Sequence, residues 1–149
     1  MTSPLILSDT QHMSRILGVH GGVGTLHWKR LATGLMMHAD WDSFEFCRLE
    51  PGAAVGEHVH SRTEEIYFIV DGQGLMHINQ ERAEVRKGDL IVTTLNTRHG
   101  IDNIGDSDLE FVVVEVLPPE IVSRLPGYSP VADFDDLAAK ASELGRDHG

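Results

Sequence analysis

From residue 25 onward the chain alternates short β-like runs with turn residues, and few architectures accommodate that rhythm. The runs fall at 25–29, 33–38, 43–50, 56–60, 65–71, 74–78, 81–85, 90–94, 100–103 and 109–117. Pro51-Gly52, Asp71-Gly72, Lys87-Gly88-Asp89 and Gly105-Asp106 punctuate them, and Pro118-Pro119 ends the last. Proline cannot donate to a strand ladder and glycine reaches the φ values of tight turns, so both mark strand ends. Short strands at such regular spacing predict an all-β sandwich or barrel. The 149 residues suit one domain with a proper core, and no internal repeat asks for two.

The ends of the chain read differently. Residues 1–24 are mixed in character and are expected to form an N-terminal arm before a barrel at 25–118. Within the arm, Gly21-Gly22-Val23-Gly24 lacks the Gly-Lys-Ser/Thr ending of a phosphate loop and reads as a turn. Residues 119–149 form a C-terminal extension in which the period changes: Phe134, Leu137, Ala138, Ala141 and Leu144 share one helical face. A helix over about 133–144 follows, with Asp133 as N-cap and Gly145 as stop. It is expected to pack on the outside of the barrel or on a partner subunit.

The chemistry concentrates in one segment, Gly56-Glu57-His58-Val59-His60-Ser61-Arg62-Thr63-Glu64-Glu65. In an extended chain, side chains at i and i+2 share a face, so His58 and His60 aim at one point. A strand turning back beside them brings Glu65 to the same place. Imidazoles and a carboxylate on one side of a pocket suit a divalent transition metal with open positions. Another histidine, His99, comes at the end of a later strand-like run. His12, His20, His27, His38 and His148 show no ligand spacing and count as background.

These residues resemble the two motifs of the cupin superfamily. The first motif, G-x5-H-x-H-x3,4-E-x6-G, runs here from Gly52 through His58, His60 and Glu65 to Gly72; with Glu64 the last spacing fails. The second, G-x5-P-x-G-x2-H-x3-N, is matched by Gly88, His99 and Asn103, with Thr94 for the usual proline and Asn96 for the usual glycine. Both departures concern a turn, and asparagine tolerates the left-handed conformation better than most residues. The resemblance implies a single antiparallel jelly-roll barrel, an all-β fold. It also implies one divalent transition metal ion held by His58, His60, Glu65 and His99. Fe or Mn is favoured, and Zn, Ni, Co or Cu would also suit the donors. Four ligands on an octahedral ion leave two positions for water, oxygen or substrate.

Period-2 alternation nominates neighbours of such a site. Tyr67 and Ile69 share the face of Glu65, so Tyr67 either donates a hydrogen bond near the metal or is a core tyrosine. Glu115 sits in an apolar run, where it is a buried general base with a raised pKa or a strand-edge charge. His77 is a pocket acid–base group or a surface residue. Arg48, on the face of Phe44 and Phe46, binds an oxyanion if that face is inward and is solvated otherwise. Asn103 orients a ligand or closes a turn. Cys47 is expected to be a small core residue.

The resemblance implies a metal-dependent enzyme acting on a small organic molecule that chelates the ion. Oxidative, dioxygenase-type chemistry leads, followed by non-redox cyclisation, decarboxylation or isomerisation. A non-catalytic ligand-binding or sensor role is the third reading, though no helix-turn-helix-like segment accompanies it. The formal net charge of −11 argues against a nucleic-acid partner. No apolar stretch approaches a membrane span, no basic leader is visible and the single cysteine suits a reducing compartment, so a cytoplasmic protein is expected. The resemblance further implies a homodimer joined through outer β-faces.

Overall fold

Most of the strand breaks fall at the turn signals seen in the sequence. The computed structural model describes residues 10–36 and 40–125. Ten strands are present: β1 (Ser14–Leu17), β2 (Thr25–Thr33), β3 (Trp41–Leu49), β4 (Ala54–Val59), β5 (Glu64–Asp71), β6 (Gln73–Ile78), β7 (Glu81–Arg86), β8 (Leu90–Thr93), β9 (Arg98–Asn103) and β10 (Leu109–Val116). They form two antiparallel sheets, ordered β1-β2-β3-β10-β5-β8 and β4-β9-β6-β7. The protein is a jelly roll, with both sheets turning their apolar faces onto a common core.

Alternation within the strands builds that core. On β3, Ser43, Glu45, Cys47 and Leu49 are buried, while the residues between them are only partly covered. On β10 the inward set includes Leu109, Phe111 and Val113. Tyr67 and Ile69 of β5 pair directly with Val113 and Phe111, and Met76 and Ile101 face them from the smaller sheet. Truncating a side chain as buried as Phe111 costs about 3–5 kcal/mol.

The structure differs from the sequence reading near the N-terminus. Residues 25–29 belong to one nine-residue strand, β2, that runs on to Thr33. In place of a strand at 33–38, Gly34–Met36 is a turn of 3-10 helix; residues 37–39 are outside the described residues. The register of β2 against β3 slips between Arg30 and Ala32, which leaves Leu31 as an extra residue. Such a bulge breaks the period-2 pattern and divides one strand into two apparent ones. Within the stretch read as an arm, Ser14–Leu17 pairs with β2 as an edge strand. The expected helix at 133–144 lies outside the described residues. A single helical turn, α1 (Pro119–Val122), follows β10, and proline at its start fits the first helical turn.

Candidate metal centre

A bulge aims the histidines. On β4 the pairing with β9 goes from Ala54–Asp102 and Val55–Ile101 to His58–His99, so Gly56 and Glu57 together oppose Gly100. One added residue shifts the inward phase of the strand. Val55 and His58, three apart, therefore both face the interior, and His60 follows two residues later. The tight side of the bulge demands glycine: a Cβ on Gly100 would lie 2.8 Å from the Val55 carbonyl oxygen. His99 comes from β9 and Glu65 from β5 of the other sheet. Side-chain ligand atoms of His58, His60, Glu65 and His99 all lie within 4.8 Å of one another. An ion held there would tie the two sheets together.

The donor set fits a cation on a specific observation. His58 and His99 place Nδ1 against the carbonyl oxygens of Gly56 and Thr97, at 2.8 and 3.0 Å. A carbonyl only accepts, so each Nδ1 carries the proton and each Nε2 presents a lone pair inward. His60 Nδ1 lies 3.1 Å from Thr63 Oγ1, a hydroxyl that donates or accepts, so this contact steadies the ring without fixing its tautomer. The buried Nε2 atoms of His60 and His99 have no aligned hydrogen-bond partner. Yet Glu65 oxygens stand 3.3 and 2.6 Å from them. A lone pair such as that of His99, facing a carboxylate at such a distance, repels it unless a positive charge sits between them, and a divalent metal supplies it.

The electrostatics agree. Burial holds His58 down to about 4, so its imidazole is neutral at pH 7. Burial pushes Glu65 upward, but contact with His99 and the nearness of His60 outweigh it and hold the carboxyl below its ordinary value. Burial disfavours a charged His99, while contact with Glu65 raises its pKa beyond the ordinary value. Without a metal, a proton on His99 relieves the repulsion.

Glu64 is the neighbour the motif excludes, and it faces elsewhere: its Oε1 accepts from the Leu95 N–H at 3.2 Å. The loop it steadies is the one with Thr94 and Asn96 in place of proline and glycine. Asn96 adopts φ 62°, so the left-handed turn is kept. Its N–H donates to the His60 carbonyl at 2.9 Å, which joins the two motifs directly.

The cluster opens on a pocket of about 310 Å³, walled by Leu26, Cys47, Phe111 and Val113 among others. Tyr67 lines it, edge-on to His99 at 5.9 Å; burial, and next the charge of Glu65, push its pKa well up. Glu115 lines it too, across the sheet from Glu65. Burial, and next the charges of Glu45 and Glu65, raise Glu115 to about 7.

Three nominated residues lie elsewhere. Arg48 points outward, as its face of β3 is the solvent face, and its Nε donates to Glu110 at 2.9 Å. His77 alternates with core residue Met76 and pairs with Asp102 at 2.8 Å on the outer face of the smaller sheet. Asn103 is buried but closes a turn: Nδ2 donates to the Leu49 and Ser107 carbonyls, each at 2.8 Å, and Oδ1 accepts from Gly105 N–H.

Two pocket residues escaped the sequence reading. His20 stacks on His58 with ring centroids 3.8 Å apart. Burial, reinforced by His60, lowers its pKa, so the stack is one of neutral rings. The glycines around it carry the signal: Cβ atoms on Gly22 and Gly56 would lie 1.9 Å from the Ala54 oxygen and 2.1 Å from the His20 oxygen. The glycine-rich turn is thus seated on β4. Glu45 is the second. It faces inward with Cys47 and Leu49, held by Trp28 Nε1 at 2.7 Å, Arg30 and Ser43.

Comparison with known proteins agrees with this geometry. Residues 45–115 match the Cupin domain family. An "Oxalate-binding protein" from Thermotoga maritima is 34% identical over 116 residues, which span 78% of this chain and 96% of that protein. The structure of a "predicted oxalate decarboxylase" from the same organism superposes with a TM-score of 0.72 at 32% identity, covering 76% of this chain and all of that one. A "Cupin 2 conserved barrel domain protein" from Salinispora arenicola shares the fold at 19% identity, with a TM-score of 0.64 over 83% of this chain and 96% of that one. The chain belongs to the cupin superfamily, with a His/Glu cluster able to hold a metal ion.

Proposed function

We propose that this cupin holds one divalent transition metal ion at His58, His60, Glu65 and His99 and acts on a small organic molecule that chelates it. One observation carries the reading: the inward lone pair of an anchored imidazole, His99, faces a carboxylate at 2.6 Å. When bound, the ion supplies Lewis-acid polarisation and, as Fe or Mn, access to redox chemistry with molecular oxygen. The protein supplies the rest. Tyr67 packs edge-on against His99, apolar walls limit water, and the Glu115 carboxyl stands in the same pocket to take or return a proton. His20 braces His58 from the pocket mouth.

Oxidative, dioxygenase-type turnover is the leading reaction class, because a mixed His/Glu donor set supports Fe or Mn. A non-redox reaction such as decarboxylation is the second reading, and the Thermotoga relatives named for oxalate binding and oxalate decarboxylation favour it. Elemental analysis of tag-free protein purified without chelator comes first, followed by oxygen uptake with candidate chelating acids. One equivalent of Fe or Mn with substrate-dependent oxygen uptake supports the oxidase reading. Turnover unchanged without oxygen moves the protein to the second class, and failure to take up any metal removes both.

The expected partners are a small-molecule substrate and a second copy of the chain, with no role for nucleic acid. A homodimer is supported by the outer face of the larger sheet, where apolar residues align across four strands. A cytoplasmic setting is supported by the lone thiol Cys47, buried and unpaired. Among the described residues no helix is long and apolar enough to cross a membrane.

A further inference from the structure

The pocket reaches well beyond the four ligands, and its far wall has a definite chemical character. A cavity of about 150 Å³ takes a benzene ring. At about 310 Å³ this pocket has room for a ring-sized body beyond a chelating head. Its middle is apolar, with Leu26, Phe111 and Val113. Glu115 stands directly opposite Glu65, beside the cluster, and the polar group farther along the wall is the carboxyl of Glu45, two strands from β5 and opposite Val113. No lysine or arginine is among the described residues that line it.

The nearest guanidinium is already committed. Arg30 donates to Glu45 Oε1 through Nε at 3.1 Å and Nη2 at 2.9 Å, and its side chain is 42% exposed behind Trp28. Trp28 also lines the pocket, and its Nε1 is spent on Glu45 Oε2. Oε2 accepts that one hydrogen bond and keeps a free lone pair. Ser43 also donates to Glu45. An anionic group reaching Glu45 would face a carboxylate whose donors are already spent. A hydroxyl, amide N–H or ammonium would find its free lone pair.

We infer that the pocket takes a chelating molecule with an apolar middle and a hydrogen-bond donor at its far end, and rejects one ending in a second carboxylate or phosphate. The inference rests on reading the cluster as a metal-chelate site. Like-charge juxtaposition in a partly dry pocket costs enough to exclude a competitor, so the discrimination is by repulsion as well as attraction.

The test keeps the two ideas apart. Protein loaded with Mn or Co is titrated calorimetrically with three benzohydroxamates that share one chelating head. They carry hydrogen, hydroxyl or carboxylate at the para position. The expected order places the hydroxyl compound at or above the parent, and the carboxylate about tenfold or more below the hydroxyl. Glu45→Gln, checked for folding by thermal unfolding, should narrow the gap between hydroxyl and carboxylate, since an amide can donate to the anion. Equal or tighter binding of the carboxylate overturns the inference and leaves the metal site standing. If even the parent fails to bind the metal-loaded protein, the chelate reading falls, and this inference with it.

Discussion

Single residues decide the chemistry of this site, and adjacent glutamates separate the alternatives most sharply. Glu65 approaches two imidazole nitrogens, whereas Glu64 accepts a backbone N–H from the next loop. Glu65→Ala is therefore expected to cut metal affinity by at least about tenfold to a hundredfold, a scale that even ligand-supporting residues reach. Glu64→Ala should leave occupancy near that of the parent and loosen only the 94–97 turn. Metal content after dialysis against a weak chelator measures both, and the reverse ranking would remove Glu65 from the site. The cluster was legible because the spacing of His58, His60 and Glu65 and the resemblance of both motifs to the cupin pattern together nominate it. Tyr67 and Glu115 were legible as candidates because period-2 alternation gives a face, though not which face is inward. Arg48 shows that gap. The sequence separated Phe44, Phe46 and Arg48 from Glu45, Cys47 and Leu49, and the more apolar-looking set proved to be the outer one. Glu45 can face inward because Trp28, Arg30 and Ser43 meet its carboxylate, partners that lie on other strands or become neighbours only on folding.

Elements position those residues, and here the backbone matters more than the side chains. The β4 bulge opposite Gly100 turns His58 inward, and the 18–24 turn packs onto β4 glycine against glycine. Nothing in period-2 reading announces a bulge; it is visible only as pairing. The same limit explains how one strand, β2, was read as two around Leu31, and how the edge strand β1 went unseen. The turns were legible, by contrast, since proline, glycine and Asn96 state their backbone needs locally. Gly56→Ala is a direct probe of this layer. Its Cβ would stand 2.1 Å from the His20 oxygen and 2.7 Å from Gly22 N, both backbone atoms. It is expected to lower stability by about 2–4 kcal/mol and to lift the turn that carries His20. Gly21→Ala is the control: its Cβ meets nothing within 4 Å, so only the strain of φ 77° remains, about 1–2 kcal/mol. Chemical denaturation compares the two, and equal losses would mean that the turn is not seated on β4.

At the scale of the molecule, the outer face of the larger sheet is the surface on which the proposed dimer can be tested. The register aligns Phe46, Val112, Phe68 and Leu90 in one row across β3, β10, β5 and β8, and Phe44, Val114, Ile66 and Val92 in the next. Phe68, Leu90 and Val92 are 44%, 60% and 53% exposed. Beside the rows, the Arg48–Glu110 ion pair forms a polar rim. A flat apolar patch with a charged border is the anatomy of a protein interface, and larger patches than a monomer tolerates mark such sites. One patch meeting its own copy about a two-fold axis needs no second complementary surface. The chain is therefore expected to sediment as a dimer at micromolar concentration. Phe68→Lys should shift it to monomer, because its charge would be buried unpaired at the centre of the contact. Metal content should not change, since Phe68 alternates with the inward Tyr67 and Ile69. A monomeric parent would defeat the dimer. If that monomer then self-associates once residues 126–149 are removed, the face belongs to the chain's own C-terminal segment.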